Sequence, residues 1–131
     1  MTRMSRRLLI VEDDARMVRA LTRMLRREGY DIQSADSAAR AIEMARSEPM
    51  DLIILDWVLP DGDGLSVVKS LRAEGIKCPV MILTGHPDSA NPVAALDAGA
   101  DDFVIKLGNP DELLARVRAH LRRTSGASGE P

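Results

Sequence analysis

Three short runs of Val, Ile and Leu, almost free of polar interruption, constrain this chain most: LLIV at 8–11, DLIILD at 51–56 and PVMILT at 79–84. Without polar alternation, such runs mark strands buried on both faces, and strands of that kind belong to parallel sheets covered by helices. Two weaker stretches, DIQSA at 31–35 and DFVIK at 102–106, bring the predicted strands to five.

Helical periods fill the intervals. Met17, Val18, Leu21, Met24 and Leu25 form one apolar stripe, with Arg16, Arg19, Arg23, Arg26 and Arg27 outside it and Gly29 placed to end the helix. That arginine face reads first as a solvated surface and second as a docking surface. Ala38, Ala41, Ile42 and Ala45 make a second stripe, ended by Pro49, and Val67, Val68 and Leu71 a third, stopped near Gly75. SANPVAALDAGA closes a weaker fourth helix at Gly99. PDELLARVRAHLRR is the fifth, acidic at its start and basic at its end, as the helix dipole favours. The predicted fold is therefore α/β, a five-stranded parallel sheet with five helices on its two faces and right-handed crossovers. Residues 1–123 read as one domain, and TSGASGEP at 124–131 as a flexible tail or the start of a linker.

In such sheets the binding site lies beyond the carboxyl ends of the strands. The first strand ends in Glu12, Asp13 and Asp14, the third in Asp56, the fourth in Thr84 and the fifth in Lys106. Clustered carboxylates repel one another unless a cation sits among them. No His or Cys accompanies them, and an all-oxygen set favours a hard ion such as Mg²⁺. With a hydroxyl and a lysine added, the set suits phosphoryl transfer, and Asp56 is the natural nucleophile because it stands alone on the central strand. Asp14 reads as a cap of the first helix, outside the metal shell. The DGDG run at 61–64 fails as a calcium loop because Leu59 and Leu71 stand where that loop needs acids, and it reads as turn chemistry instead.

Composition closes other classes. The net charge of −2 supplies no basic field for nucleic acid, and no apolar run reaches the roughly 18 residues of a membrane span. The N-terminus MTRMSRRLLIVEDD turns acidic too soon for a signal peptide, and one cysteine, Cys78, fits a reducing cytoplasm.

The motifs LLIVEDD, LDWVLPDGDGL, ILTG, GADDFVIK and PDELLARVRAHLRR, in this order and spacing, resemble the receiver domain of two-component response regulators across about residues 7–123. The closest likeness is to the DNA-binding transcription-factor branch. The resemblance implies a flavodoxin-like sheet of order 2-1-3-4-5. It implies that Asp56 accepts a phosphoryl group from a sensor histidine kinase or a phosphotransfer protein, with Mg²⁺ (or Mn²⁺) as cofactor. Asp13 would bind the ion directly, Glu12 through water, and the backbone carbonyl of Val58 would complete the protein ligands with Asp56. Thr84 and Lys106 would hold phosphoryl oxygens, and Thr84 and Phe103 would form the switch, read out through helix 4, strand 5 and helix 5. The only modification expected is the protein's own phosphorylation and dephosphorylation, without turnover of a separate substrate.

Phe103 has core packing as its competing explanation, Thr84 the role of a plain strand residue, and His86 that of a loop histidine without function. Trp57 would either shield the acyl phosphate or lie on the surface. The chain departs from the family where Lys106 is followed by Leu107 and Gly108, not by Pro. A cis bond before Leu costs about 3–4 kcal/mol, so a trans bond is expected there, with Gly108 absorbing the altered path. Gly85 stands where Ala is common and would open access to Asp56. A homodimer through helix 4, strand 5 and helix 5 would draw on Asp101, Asp102, Glu112, Arg116 and Arg118. From Cys78 to Ile105, however, there is no Lys or Arg to pair with them. Two other readings compete. A hydrolase of the haloacid-dehalogenase type needs an acid where Val58 stands. A receiver-shaped interaction module without phosphate control is motivated by Leu107.

Overall fold

The computed structural model describes residues 5–106 and 108–129, with side chains described as far as residue 123. Five strands, β1 (Arg7–Val11), β2 (Asp31–Ala35), β3 (Leu52–Leu55), β6 (Val80–Thr84) and β7 (Asp102–Ile105), form a parallel sheet in the order β2-β1-β3-β6-β7. A separate hairpin pairs β4 (Val58–Leu59) with β5 (Gly62–Asp63), antiparallel. The apolar runs thus form a sheet of the predicted order, and the DGDG turn adds the small hairpin that the sequence reading lacked.

Side-chain alternation divides the core into two layers. Leu9, Val11, Ile53, Leu55, Val80 and Ile82 pack with α2 (Ala38–Ser47), α3 (Gly64–Ala73) and α4 (Pro92–Ala98). Leu8, Ile10, Leu52, Ile54, Met81 and Leu83 pack with α1 (Ala15–Arg27) and α5 (Pro110–Gly129). The central β3 is fully buried along its length, and each such Leu or Ile contributes about 1.5–3 kcal/mol by leaving water.

Helix ends follow their caps. Asp14 accepts from the amides of Arg16 and Met17 to start α1, as expected for that residue. Asn91 caps α4 with Pro92 in its first turn, and α4 ends at Gly99, whose φ of 119° lies in the left-handed region. α5 continues through the Gly/Ser stretch to Gly129, so residues 124–129, read as the start of a tail, are helical. Residues 130–131 and the peptide bond expected to be trans before Leu107 lie outside the described residues. Among the described residues no helix is long and apolar enough to cross a membrane.

Candidate functional site

The sheet ladder runs one residue past three strands and so fixes the site's backbone. The Glu12 amide donates to Ala35 O (2.9 Å), that of Asp56 to Val11 O (2.9 Å) and that of Lys106 to Thr84 O (2.7 Å). Glu12, Asp56, Thr84 and Lys106 are thereby set on one rim, although 94 residues separate the first from the last.

Glu12 and Asp56 are almost fully buried, at 4% and 6% exposure, whereas Asp13 is exposed. Each of the three offers a carboxylate oxygen, and these atoms all lie within 4.8 Å of one another. Lys106 Nζ donates to Glu12 Oε1 and to Asp56 Oδ2, the latter at 3.2 Å. Glu12 Oε2 accepts from the Asp14 amide at 3.1 Å. Asp56 Oδ1 is buried with no hydrogen-bond partner. One ammonium thus serves two buried carboxylates, and one carboxylate oxygen is left over.

The electrostatics follow. Burial pushes the Glu12 carboxyl up, Lys106 and the Asp14 amide oppose the shift, and the Asp56 charge adds to it; the net shift is upward. Burial alone would lower Lys106, but its hydrogen bond to Glu12 and the charges of Asp56 and Glu12 outweigh that and hold it above the ordinary lysine value. The stable arrangement is a charged lysine between acids with a deficit of positive charge. An all-oxygen donor set with an orphaned buried oxygen suits a hard divalent cation such as Mg²⁺.

The other expected residues fall into place unevenly. Thr84 is fully buried beside Lys106, and its Oγ1 accepts from the His86 amide at 3.0 Å. His86 itself is exposed. A Cβ on Gly85 would meet the Lys106 stem at 3.5 Å, so Gly85 borders the lysine directly. Val58 exposes 47% of its surface. Trp57 does not lie on the surface: it is 7% exposed, in the core, and meets half-buried Phe103 edge-on with ring centroids 6.4 Å apart. Burial pushes the Cys78 thiol up to about 11, so little of it is thiolate at neutral pH.

The acids and arginines expected to reach across a dimer have partners within the chain. Arg72 binds Asp101 at 3.1 Å and the carbonyls of Ile76, Cys78 and Gly99. Arg116 binds Asp102 (3.0 Å) and Glu112 (2.9 Å), and Arg118 reaches Glu28 (3.7 Å).

Sequence reasoning missed His120, which is 6% exposed with Nε2 at 2.9 Å from Asp102 Oδ2. Its signal was its place on the stripe of Leu113, Val117 and Leu121. It also missed Arg72, for which the sequence carries no signal. Asp102 is held below the usual carboxylate value: burial would raise it, but His120, the Phe103 amide and Arg116 prevail. A lowered folded pKa means that the unfolded chain binds more protons. The resulting stability is present above the ordinary value of 3.8 and is lost as pH falls through the folded value. Urea midpoints measured down an acid series are therefore expected to fall less steeply for Asp102→Asn than for the parent chain. Parallel slopes would remove Asp102 from the acid limb.

Residues 8–118 match the response regulator receiver domain family. The chain is 43% identical over 121 residues to the response regulator MprA of Mycobacterium ulcerans (strain Agy99), covering 92% of this chain and 52% of that protein. It is 39% identical over 130 residues to the DNA-binding response regulator MtrA of Mycobacterium bovis, covering 99% and 57% respectively. The chain therefore spans about half the length of these curated relatives. Among solved structures, the Thermotoga maritima response regulator TrrA, in complex with Mg²⁺ and BeF, superposes with a TM-score of 0.81 at 30% identity, covering 88% of this chain and 99% of that one.

Proposed function

This chain belongs to the response regulator receiver domain family, and from that premise we propose that Asp56 is its phosphoacceptor in a two-component phosphorelay. The observation that carries the reading is the buried Asp56 carboxylate at the end of the central strand, with one oxygen on Lys106 and the other unpartnered. An oxygen of Asp56 attacks the phosphorus of a phosphohistidine on a sensor histidine kinase or phosphotransfer protein. The P–N bond breaks, and the imidazole keeps the electron pair and takes up a proton.

Glu12, Asp13, Asp56 and the Val58 carbonyl would hold Mg²⁺, which when bound neutralises charge on the transferred group. Support comes from the clustering of the three carboxylates and from the Mg²⁺ and BeF complex of the TrrA relative. Lys106 and Thr84 meet the phosphoryl oxygens. Turning Thr84 toward them costs its bond to the His86 amide, and Phe103, edge-on to Trp57, would move with it. The readout runs through α4, β7 and α5, where Val93, Leu96 and Ile105 expose apolar surface. A homodimer there would rest on those side chains, because Asp101, Asp102, Glu112, Arg116 and Arg118 already have partners within the chain. The reading assigns residues 1–123 to the receiver and 124–131 to the start of a linker, places the chain in the cytoplasm, and gives it no direct contact with nucleic acid or membrane.

Trp57 gives the test. Its fluorescence is expected to change with Mg²⁺ and again with acetyl phosphate, and intact mass is expected to show one phosphoryl adduct. Silence in both measurements would favour a receiver-shaped interaction module without phosphate control. Steady turnover of a phosphate ester would contradict the assignment as a switch.

A further inference from the structure

The run Asp61-Gly62-Asp63-Gly64 begins five residues after Asp56, and each of its members has a separate mechanical task. Asp63 caps α3 by accepting from the Ser66 amide at 2.9 Å. Gly64 packs so closely that a Cβ there would come within 3.1 Å of Asp56 O and 3.3 Å of Trp57 Cα. Its amide donates to Trp57 O at 2.7 Å, which closes the base of the hairpin. Gly62 faces Ala38, whose Cβ would lie 3.8 Å from a Cβ at that glycine.

Asp61 is different because it reaches another element. Its Oδ1 accepts from the Ala38 amide at 2.7 Å, 23 residues away in sequence, and its Oδ2 from the Ala39 amide at 3.0 Å. Helix α2 already has its own cap in Ser37, whose Oγ accepts from the Arg40 amide at 3.1 Å. The Asp61 bonds therefore come in addition to a capped end, and what they add is a tie between the hairpin tip and α2. The same two amides hold the Asp61 carboxyl below its ordinary value.

We propose that Asp61 is a positioning residue for the acidic centre, clamping the tip of the β4–β5 hairpin to the N-terminus of α2 and so fixing the backbone of Trp57 and Val58 next to Asp56. A hairpin with two residues per strand does not hold its shape alone. The Gly64 amide secures its base, and Asp61 secures its tip. With the tip released, the Val58 carbonyl is ordered only when a cation binds, and the ordering entropy is charged against affinity. The inference rests on the reading of Glu12, Asp13, Asp56 and Val58 as a divalent-cation site.

The experiment is a Mg²⁺ titration of the full chain without phosphodonor, read by Trp57 fluorescence, with thermal unfolding measured alongside. Asp61→Ala is expected to raise the Mg²⁺ midpoint at least tenfold. Asp61→Asn, whose amide oxygen can keep one of the two bonds, is expected to fall between it and the parent chain. Ser37→Ala removes a cap from the same helix without touching the hairpin, and is expected to lower the unfolding temperature while leaving the Mg²⁺ midpoint within twofold. A midpoint within twofold of the parent in Asp61→Ala overturns the proposal. So does an equal shift in Asp61→Asn, which would mark lost charge as the cause, or an equal shift in Ser37→Ala, which would mark helix stability. If Asp61→Ala does not fold, Asp61→Glu replaces it: it keeps the charge but misplaces the carboxylate, so weakened binding supports the clamp and unchanged binding overturns it. No Mg²⁺ response in the parent chain would overturn the cation site itself, and the clamp with it.

Discussion

Asp56→Asn is expected to abolish the phosphoryl adduct completely and, without divalent cations, to make the fold more stable. The first effect follows from chemistry, because an amide is not a nucleophile toward phosphorus at neutral pH and no second carboxylate stands alone on the central strand. The second follows from the site's charge balance. Asp56 Oδ1 is buried without a partner, and the desolvation cost of such an atom is larger on a charged carboxylate than on the neutral amide that replaces it. The Asp56 charge also pushes the Glu12 carboxyl up, so the parent chain carries repulsion that the variant lacks. A gain of about 1–2 kcal/mol is expected, read as a rise of several degrees in unfolding temperature. Mg²⁺ should narrow the gap by stabilising the parent more than the variant, since only the parent keeps all three carboxylates. A persistent adduct in Asp56→Asn would move the phosphoacceptor elsewhere, and a lower unfolding temperature would show that the acids in this cluster do not repel.

Lys106→Met is expected to act on stability in the opposite direction. The side chains of Lys106, Glu12 and Asp56 are 13%, 4% and 7% exposed, so the ammonium is their shared counter-charge in a dry place. Removing one partner of a buried ion pair costs about 3–5 kcal/mol because the other charge is stranded. A loss near the lower end, about 3 kcal/mol, is expected, since the exposed Asp13 side of the cluster admits water. Urea unfolding without divalent cations reads this loss directly. Adding Mg²⁺ should recover more stability in Lys106→Met than in the parent, because the cation would restore the missing charge. If Lys106→Met unfolds at the parent's urea midpoint, the lysine is not what holds the two acids. The pair of variants is informative together: removing an acid stabilises and removing the cation destabilises only where negative charge is in excess.

The arginine stripe of α1 shows how far sequence patterning reaches. Arg16, Arg19, Arg23, Arg26 and Arg27 are all exposed, as their spacing against Leu21 and Leu25 required. The charges considered for a dimer interface were equally legible, but their partners within the chain were not. Asp101 and Asp102 turn back to Arg72, Arg116 and His120, because a pairing partner depends on which helix lies against which strand.

The sequence by itself determined the five strands of the parallel sheet, the caps of α1 and α4, the sheet class and the acids at the strand ends, since each depends on periodicity or on neighbours a few positions apart. Only the tertiary structure decided that Lys106 bridges Glu12 and Asp56, that Asp61 ties the hairpin to α2, and that Trp57 turns into the core against Phe103. Those contacts join residues tens of positions apart, and their geometry exists only after the sheet has assembled and its two faces have been covered.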